Sequence, residues 1–404
     1  MRASVTPLAS ILGSGLLIIV PVLERTLGSL SLFGAAGVCA VAWVVGTSVR
    51  HCVRVVEPAL ASGSPDRVTA RLDRAGDAVI VVAYVISVAL YLRIMAQYVI
   101  SYADPGASGL WDRVLACAAV ALIVVVGITR GFAGLNLLDR VSLAVVLTLT
   151  TLLGGTLLLH DTRGLSGSGL ALPPVPHVGI STVLRVLGGI VITVQGFETV
   201  QYLGDRYDAE TRVWASRLAQ LVSASIYLGF VAVATPVMGL GTAKGPDGTL
   251  LDITARVAPW LALPLVLSAV LSQFSAAVAD TVAAEGNLRG LSRFMRGPTT
   301  YLVSGGAAVL LAATAPTFTI VAVASRAFAA YYAIQAALAM RAHLYQPDTQ
   351  SRVRRAVHRD GRCHTLRAGR ELSSAPSHSA DPPFSPRRRS AAGPKPAAAG
   401  RPHP

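Results

Sequence analysis

Charged residues are scarce in this sequence. Asp, Glu, Lys and Arg make up only 14% of its 404 residues, whereas they make up about 25% of an ordinary soluble domain. The shortage is uneven, because the charges cluster between long apolar stretches that recur from Ala9 to Ala339. With 53% hydrophobic residues and a mean hydropathy of +0.57, the composition excludes a soluble globular domain.

Cysteine and histidine are also scarce, which limits the chemistry. The four cysteines show no CxxC or Cys/His spacing, so the sequence predicts neither a disulfide framework nor a metal site. Gly106–Gly109 fits the GxSG pattern of intramembrane serine proteases, but none of the eight histidines lies in an apolar stretch. A serine nucleophile needs a neighbouring base. We therefore predict that the protein is not an enzyme.

The apolar stretches are long enough to cross a bilayer. A spanning helix needs about 20 apolar residues, and backbone amides inside lipid must be bonded within the protein, which favours helices. Hydropathy predicts about ten spans, the first of which is interpreted as a membrane helix and not as a cleaved signal peptide. The predicted helices lie near 7–23, 32–49, 77–101, 111–128, 139–159, 182–203, 214–238, 261–284, 299–314 and 317–341.

Basic residues predict the orientation of these helices. The connections on one side of the predicted bundle carry thirteen Lys and Arg, five of them between Arg50 and Arg74, whereas those on the other side carry five. This excess predicts a multi-pass plasma-membrane protein with both termini in the cytoplasm.

Most of the net charge of +14 belongs to the end of the chain. Ser351–Pro404 holds 12 Lys and Arg against 3 Asp and Glu, so the charge marks a tail and not a nucleic-acid-binding face. Residues 346–404 are rich in Arg, Pro, Ser, Ala and Gly, which predicts a basic, disordered cytoplasmic tail. The tail either attracts anionic lipid headgroups or is simply solvated.

Two predicted helices are interrupted at corresponding places. In the first, Gly13-Ser14-Gly15 predicts local unwinding, which would expose amides to a carboxylate; the alternative is a small-residue face for close packing. In the sixth, Glu198 follows Gly196 inside the span. A carboxylate at this depth indicates a substrate or ion path, unless it is a structural hydrogen-bonding group. Two broken helices in corresponding positions are typical of an inverted-repeat transporter.

The eighth helix carries a third set of polar residues, Ser275, Asp280 and Thr281. Their oxygens suit a hard cation, Asp280 alone suits a proton carrier, and interhelical hydrogen bonding is the alternative. Apart from a coupling ion, Na+ or H+, no cofactor is expected. Arg93 and Arg326 also lie within predicted spans, where each could pair with a buried carboxylate or extend toward an interface.

Several short motifs resemble those of the amino acid–polyamine–organocation (APC) superfamily. The GSG run followed by Pro21 is similar to its G-S-G-I-F-x-x-P signature, and Gly196-Phe197-Glu198 resembles its G-F-D/E break. Arg289 with Arg296-Gly297 matches the spacing of its R-x6-R-D/N-G motif. The likeness covers about residues 5–345.

The resemblance implies an all-α integral membrane protein with a leucine-transporter-type fold. About ten transmembrane helices would form a 5+5 inverted repeat with helices 1 and 6 broken. Repeat one would cover about 5–160 and repeat two about 178–342 of a transporter core at 1–345. Substrate would lie between helices 1 and 6, with its carboxylate at the GSG run and its amino group or side chain at Gly196, Phe197 and Glu198.

The predicted function is secondary active transport. The protein would be a permease that moves an amino acid or a similar small amine or zwitterion by alternating access. Its partners would be a small-molecule substrate and the lipid bilayer, without nucleic acid, and the sequence predicts no oligomeric state. The alternative is a non-transporting scaffold or a channel-like protein with the same bundle.

Overall fold

The structure is a computed structural model, and it describes residues 2–61, 66–104, 106–107, 109–129, 135–165, 172–204, 206–240, 246–291 and 298–345. Within these residues all regular structure is helical, which confirms the all-α prediction. The predicted tail at 346–404, Ser108 of the GxSG pattern and the Arg296-Gly297 motif lie outside the described residues.

The described residues form twelve α-helices, and 3-10 or π turns extend several of them. Most of the long ones end within a few residues of the predicted positions. The helices are α1 Val5–Leu27, α2 Ser31–His51, α3 Glu57–Ala61, α4 Arg67–Ala103, α5 Gly109–Thr129, α6 Leu135–Leu165, α7 Ile180–Ile190, α8 Ala209–Ala234, α9 Pro246–Val257, α10 Ala262–Leu291, α11 Pro298–Thr314 and α12 Thr317–Tyr345.

Eight stretches of the described chain are long and apolar enough to cross a membrane. The first of them, Val5–Ala61, contains both α1 and α2. It turns at Gly28, where φ is +52° and where a Cβ would lie 2.0 Å from the carbonyl oxygen of Pro174. Glycine suits this turn because it has no Cβ and adopts positive φ freely. The apolar α11 is shorter than these stretches, with 17 residues.

The α1 helix lies at the centre of the bundle. Ile11, Ile19, Val20 and Leu23 are 0% exposed, and α1 contacts α6, α8 and α10. A helix that is apolar around its whole circumference needs neighbours on every side. Because α4 packs along both α10 and α12, these three helices form the opposite wall of the same core.

The predicted break in the first helix is wrong. α1 runs without interruption through Gly13, Ser14 and Gly15. Gly15 serves close packing, because a Cβ there would lie 1.8 Å from the carbonyl oxygen of Thr193. A glycine inside a helix costs about 1 kcal/mol relative to alanine, and here the close backbone approach that glycine permits offsets that cost. The small-residue alternative therefore describes Gly15.

Hydropathy did not predict α9, which lies in the connection between α8 and α10. The connection contains polar residues, so it looks like a loop in the sequence. In the structure, however, Leu250 and Ile253 of α9 are each 1% exposed, and α9 contacts α1 and α4. This short helix therefore covers the end of the central core.

The α4 helix begins ten residues earlier than predicted, because Asp66 caps it. The Asp66 carboxylate accepts hydrogen bonds from two N–H groups of the first turn, at 2.7 and 2.8 Å. Arg341 of α12 donates to the same carboxylate at 2.6 Å. The bond from Thr69 and then the bond from Arg341 lower the pKa of Asp66 to about 2. The cap extends α4 beyond the apolar run, and the added turns carry Asp73, four residues before Asp77.

Candidate functional site

The helix that starts as α7 is broken near its middle. After Ile190 the chain forms 3-10 turns on either side of Gln195 and Gly196, and the second of these runs over Phe197–Leu203. Gly196 has a φ of +121°, and a Cβ at this position would lie 2.7 Å from Oγ of Ser10. Only glycine combines this backbone conformation with such close contact. The break that the sequence predicts here is present.

Glu198 is buried at this break. It is 1% exposed, and its Oε2 accepts hydrogen bonds from the backbone N–H of Gly196 at 2.9 Å and from the hydroxyl of Tyr332 at 3.1 Å. Among the described residues, no basic nitrogen lies within ion-pair distance of Glu198. A buried carboxylate without a counter-charge is costly at membrane depth. The position of the Glu198 carboxylate therefore favours binding of a cationic solute.

Aromatic rings enclose the carboxylate. Phe197 stacks on Tyr332 with their ring centroids 5.5 Å apart, and Phe328 lies 6.0 Å from Tyr332 and 6.1 Å from Tyr84. The sequence singled out Phe197 but missed the other three, because aromatic residues in apolar helices usually serve packing. The available signal was the i, i+4 spacing of Phe328 and Tyr332 on one helix face. The electron-rich faces of such rings attract cations.

The α1 helix meets the break through backbone oxygens. The hydroxyl of Tyr227 on α8 lies 2.7 Å from the carbonyl oxygen of Ile11 and 2.9 Å from that of Thr193. Gln273 of α10 donates to the carbonyl oxygen of Gly13 at 2.6 Å. The structure thus brings the GSG run and the broken helix together. Because the GSG run is helical, its N–H groups are not freed, and its contact with a substrate carboxylate stays a prediction.

The three polar residues predicted as an ion site lie on different faces of α10, and the site stays a prediction. Successive α-helical residues are turned by about 100°, so Thr281 points about 100° and Ser275 about 140° away from Asp280. The Thr281 hydroxyl donates to the carbonyl oxygen of Ala277 at 2.7 Å. Asp280 is 3% exposed, its Oδ2 has no hydrogen-bond partner among the described residues, and its charge interacts with that of Glu198. Asp280 is therefore a second buried carboxylate near Glu198.

The two arginines within the predicted spans occupy different surroundings. Arg93 is 4% exposed, and its Nη2 lies 3.5 Å from Oγ1 of Thr317 at the start of α12. Tyr332, which binds Glu198, lies fifteen residues further along α12, a distance of about 22 Å. Arg326 of α12 is exposed. Arg93 therefore does not reach Glu198, and Arg326 points away from the core.

A cavity of about 290 Å³ lies near the break, among α3, α4 and α12. Its lining includes three carboxylates, those of Glu57, Asp73 and Asp77. Few features of the sequence predict this cavity. The one signal was the i, i+4 spacing of Asp73 and Asp77, which places both on one helix face.

Three hydrogen-bonded side chains, Gln201, Tyr331 and Gln335, form the wall between this cavity and the buried carboxylate. We call them the Gln201 layer. Tyr331 donates to Oε1 of Gln201 at 2.5 Å, and Nε2 of Gln201 donates to Oε1 of Gln335 at 3.3 Å. All three line the cavity. Gln201 follows Glu198 by three residues and Tyr331 adjoins Tyr332, so this layer lies close to both the carboxylate and the cavity.

Arg212 of α8 connects the cavity with the broken helix. It is 6% exposed, and its Nη2 donates to Oε2 of Glu57 at 2.6 Å. Its Nη1 donates to the carbonyl oxygens of Val200 at 3.3 Å and of Gln201 at 3.5 Å. Carbonyls at the end of a helix lack partners within that helix. One guanidinium therefore satisfies them and pairs with an acidic group of the cavity.

Comparisons with known proteins agree with this architecture. A family model described as "APC superfamily transporter" matches residues 1–359. A relative from Aquifex aeolicus (strain VF5), named only as an uncharacterized protein, is 34% identical over 346 residues, which covers 83% of this chain and 82% of the relative.

Proposed function

Because the chain belongs to the APC superfamily of transporters, we propose that it is a secondary active transporter for an amino acid or a similar small amine or zwitterion. It would carry this solute across the plasma membrane by alternating access. The observation that carries the proposal is Glu198, a 1% exposed carboxylate bonded to the N–H of a helix break. A buried carboxylate without a protein counter-ion favours the binding of a cationic group, because the cation compensates its charge.

The surroundings of Glu198 support an ammonium group as the ligand. A protonated amine placed beside the carboxylate would neutralise it and would also meet the faces of Phe197 and Tyr332, which stack 5.5 Å apart. In this proposal Gly196, Phe197 and Glu198 contact the amine. Gly15 lets α1 approach the break at Thr193 closely enough to close the other side.

We propose ten membrane crossings in two repeats of five. The first apolar stretch of 57 residues would be about 85 Å long as one helix, nearly three times the hydrocarbon thickness of about 30 Å. It therefore counts as two crossings, divided at Gly28. The shorter α11 adds one more. An even number puts both termini on the same side, and the excess of arginine in the connections of that side favours the cytoplasm.

We propose a proton as the coupling ion. A sodium site needs several converging oxygens, and the directions of Ser275, Asp280 and Thr281 around α10 argue against such a site. Asp280 instead lies within electrostatic reach of Glu198. Two buried like charges repel each other, so one proton carried by the pair would lower the free energy of the empty carrier. A substrate ammonium would then displace that proton to the aqueous side from which the substrate enters, so that proton and substrate cross the membrane in opposite directions.

Uptake into proteoliposomes tests the proposed function. A transporter should concentrate its substrate when a proton gradient is imposed, and uptake should saturate. A thermal-shift screen across amino acids and polyamines would first find the solute that stabilises the purified protein. A channel or a scaffold with the same bundle would show neither saturation nor accumulation against a gradient. Uptake that does not saturate, or that does not concentrate the substrate, would refute the proposal.

We propose that a solute passing between Glu198 and the cavity must open the Gln201 layer, and this proposal predicts a further result. Tyr331→Phe removes its 2.5 Å hydrogen bond to Gln201, and a hydrogen bond of this kind contributes about 1 kcal/mol. The open population should therefore rise about fivefold. In a chain with all four native cysteines replaced by alanine, a cysteine placed at Thr199 should react about fivefold faster with a membrane-impermeant maleimide when Tyr331→Phe is present than when it is absent. Tyr102→Phe, at an exposed tyrosine, is the control. Equal labelling rates for the two variants would contradict the proposal that the Gln201 layer must open.

A further inference from the structure

A groove on the outer surface of the bundle lies between α2 and α8. Its volume is about 220 Å³, which is below the range of about 300–1,000 Å³ for typical small-molecule sites. Trp43 of α2 and Leu221 of α8 form its rim, and Val194 and Tyr227 lie at its inner end. Because Trp43 is 37% and Leu221 55% exposed on helices that span the membrane, the groove faces lipid.

Three arginines cluster at one end of this groove. Arg54 follows Arg50 by four residues, and the exposed Arg217 of α8 lies one helical turn before Gln220 and Leu221, which both line the groove. Arg54 is neutralised by Glu210, with bonds of 2.8 and 2.5 Å. Within the described ranges no carboxylate lies at ion-pair distance from Arg50 or Arg217. Three guanidinium groups and one carboxylate leave an excess of two positive charges.

The arginine cluster and the groove are parts of one structure, because Arg50 is fixed at the groove. Its guanidinium lies 4.7 Å above the ring of Trp43 and donates to Oε1 of Gln220. Gln220 in turn donates to the carbonyl oxygen of Ala42 at 2.8 Å. Trp43, Gln220 and Ala42 all line the groove. Arg50 is only 3% exposed, so its position is built into the helix contact.

We propose that this groove binds an anionic phospholipid, with its phosphate at the exposed Arg217, beside the buried Arg50, and one acyl chain along the groove. Arginine forms paired hydrogen bonds with phosphate oxygens, and basic pockets between membrane helices hold anionic headgroups. A zwitterionic lipid also has a phosphate, but its ammonium group is repelled by the excess positive charge. The inner end of the acyl chain would contact Tyr227, whose hydroxyl bridges α1 and the broken helix.

Native mass spectrometry of the purified full chain tests this proposal with phosphatidylglycerol and phosphatidylcholine as probes. One basic residue near a membrane surface changes binding about fivefold, so the wild type should prefer phosphatidylglycerol about 25-fold. Arg217→Gln should lower this preference about fivefold, and Arg217→Lys should keep it. Arg185→Gln is the matched control, because Arg185 is an exposed arginine on α7 away from the groove, and it should bind as the wild type does.

A second variant tests the acyl chain separately from the charge. Ala224→Trp would fill the groove and should release bound phosphatidylglycerol while the melting temperature stays within a few degrees. Soluble glycerophosphate, which has the headgroup but no chain, should compete at least about 100-fold more weakly than the diacyl lipid. Equal retention of the two lipids, equal loss in Arg217→Gln and Arg185→Gln, or equal competition by glycerophosphate would each overturn the proposal.

Discussion

Glu198→Gln should lower concentrative uptake at least about 100-fold. The substitution keeps the size of the side chain, and its amide oxygen still accepts the bond from the N–H of Gly196, now 2.9 Å long. The substrate ammonium, however, would be buried without its counter-charge, and losing one partner of a buried pair costs about 3–5 kcal/mol. A tenfold change corresponds to about 1.4 kcal/mol. Initial rates of gradient-driven uptake into proteoliposomes measure this effect.

The matched control for Glu198→Gln is Glu210→Gln. The side chain of Glu210 is 69% exposed and pairs with Arg54, so its replacement should leave uptake within about twofold of the wild type. Melting temperatures of both variants should stay close to that of the wild type, because neither changes packing. Normal uptake by Glu198→Gln would remove Glu198 from the site, even if the protein remains a transporter.

Gly15→Ala should destabilise the folded protein by at least about 3 kcal/mol. The new Cβ would lie 1.8 Å from the carbonyl oxygen of Thr193 and 2.0 Å from the hydroxyl of Tyr227, so backbone would have to move. Overpacking in a core costs about 1–3 kcal/mol, and here the bonds of Tyr227 to two carbonyls would be lost as well. The melting temperature should fall by about 5–10 °C.

Gly229→Ala is the control for this prediction. Gly229 lies inside α8, and a Cβ there would meet nothing within 4 Å. Because alanine favours helix over glycine by about 1 kcal/mol, this variant should keep or raise the melting temperature. The pair also separates the two roles considered for the GSG run. If Gly15→Ala left the melting temperature unchanged but abolished uptake, unwinding and not close packing would be the role of Gly15.

The helices were predictable from the sequence because lipid-spanning runs are continuous and apolar. The break at Gly196 was predictable for a related reason, since a glycine and a carboxylate stand together inside such a run. At Gly15 the prediction from sequence was wrong. Glycine permits both unwinding and close approach, and the choice depends on Thr193, which is 178 residues away in the chain.

The site was harder to predict than the helices. The divergence of Ser275, Asp280 and Thr281 follows from helical geometry and could have been recognised from their spacing alone. For Tyr332 the sequence offers only the i, i+4 spacing from Phe328, and that spacing does not distinguish a partner of Glu198 from a packing residue. The cavity depends on α4 extending past its apolar run, and that extension rests on the cap at Asp66, which hydropathy does not detect.

The ion pair between Arg212 and Glu57 has a consequence for how solute and protein influence each other. Glu57 lines the cavity, and the same arginine holds the carbonyls of Val200 and Gln201. A cationic solute that arrives in the cavity competes with Arg212 for Glu57. Occupancy of the cavity and the contact of Arg212 with the end of the broken helix would therefore be coupled. A solute that accumulated on that side would weaken the contact that holds this helix end in place, and so would inhibit its own transport.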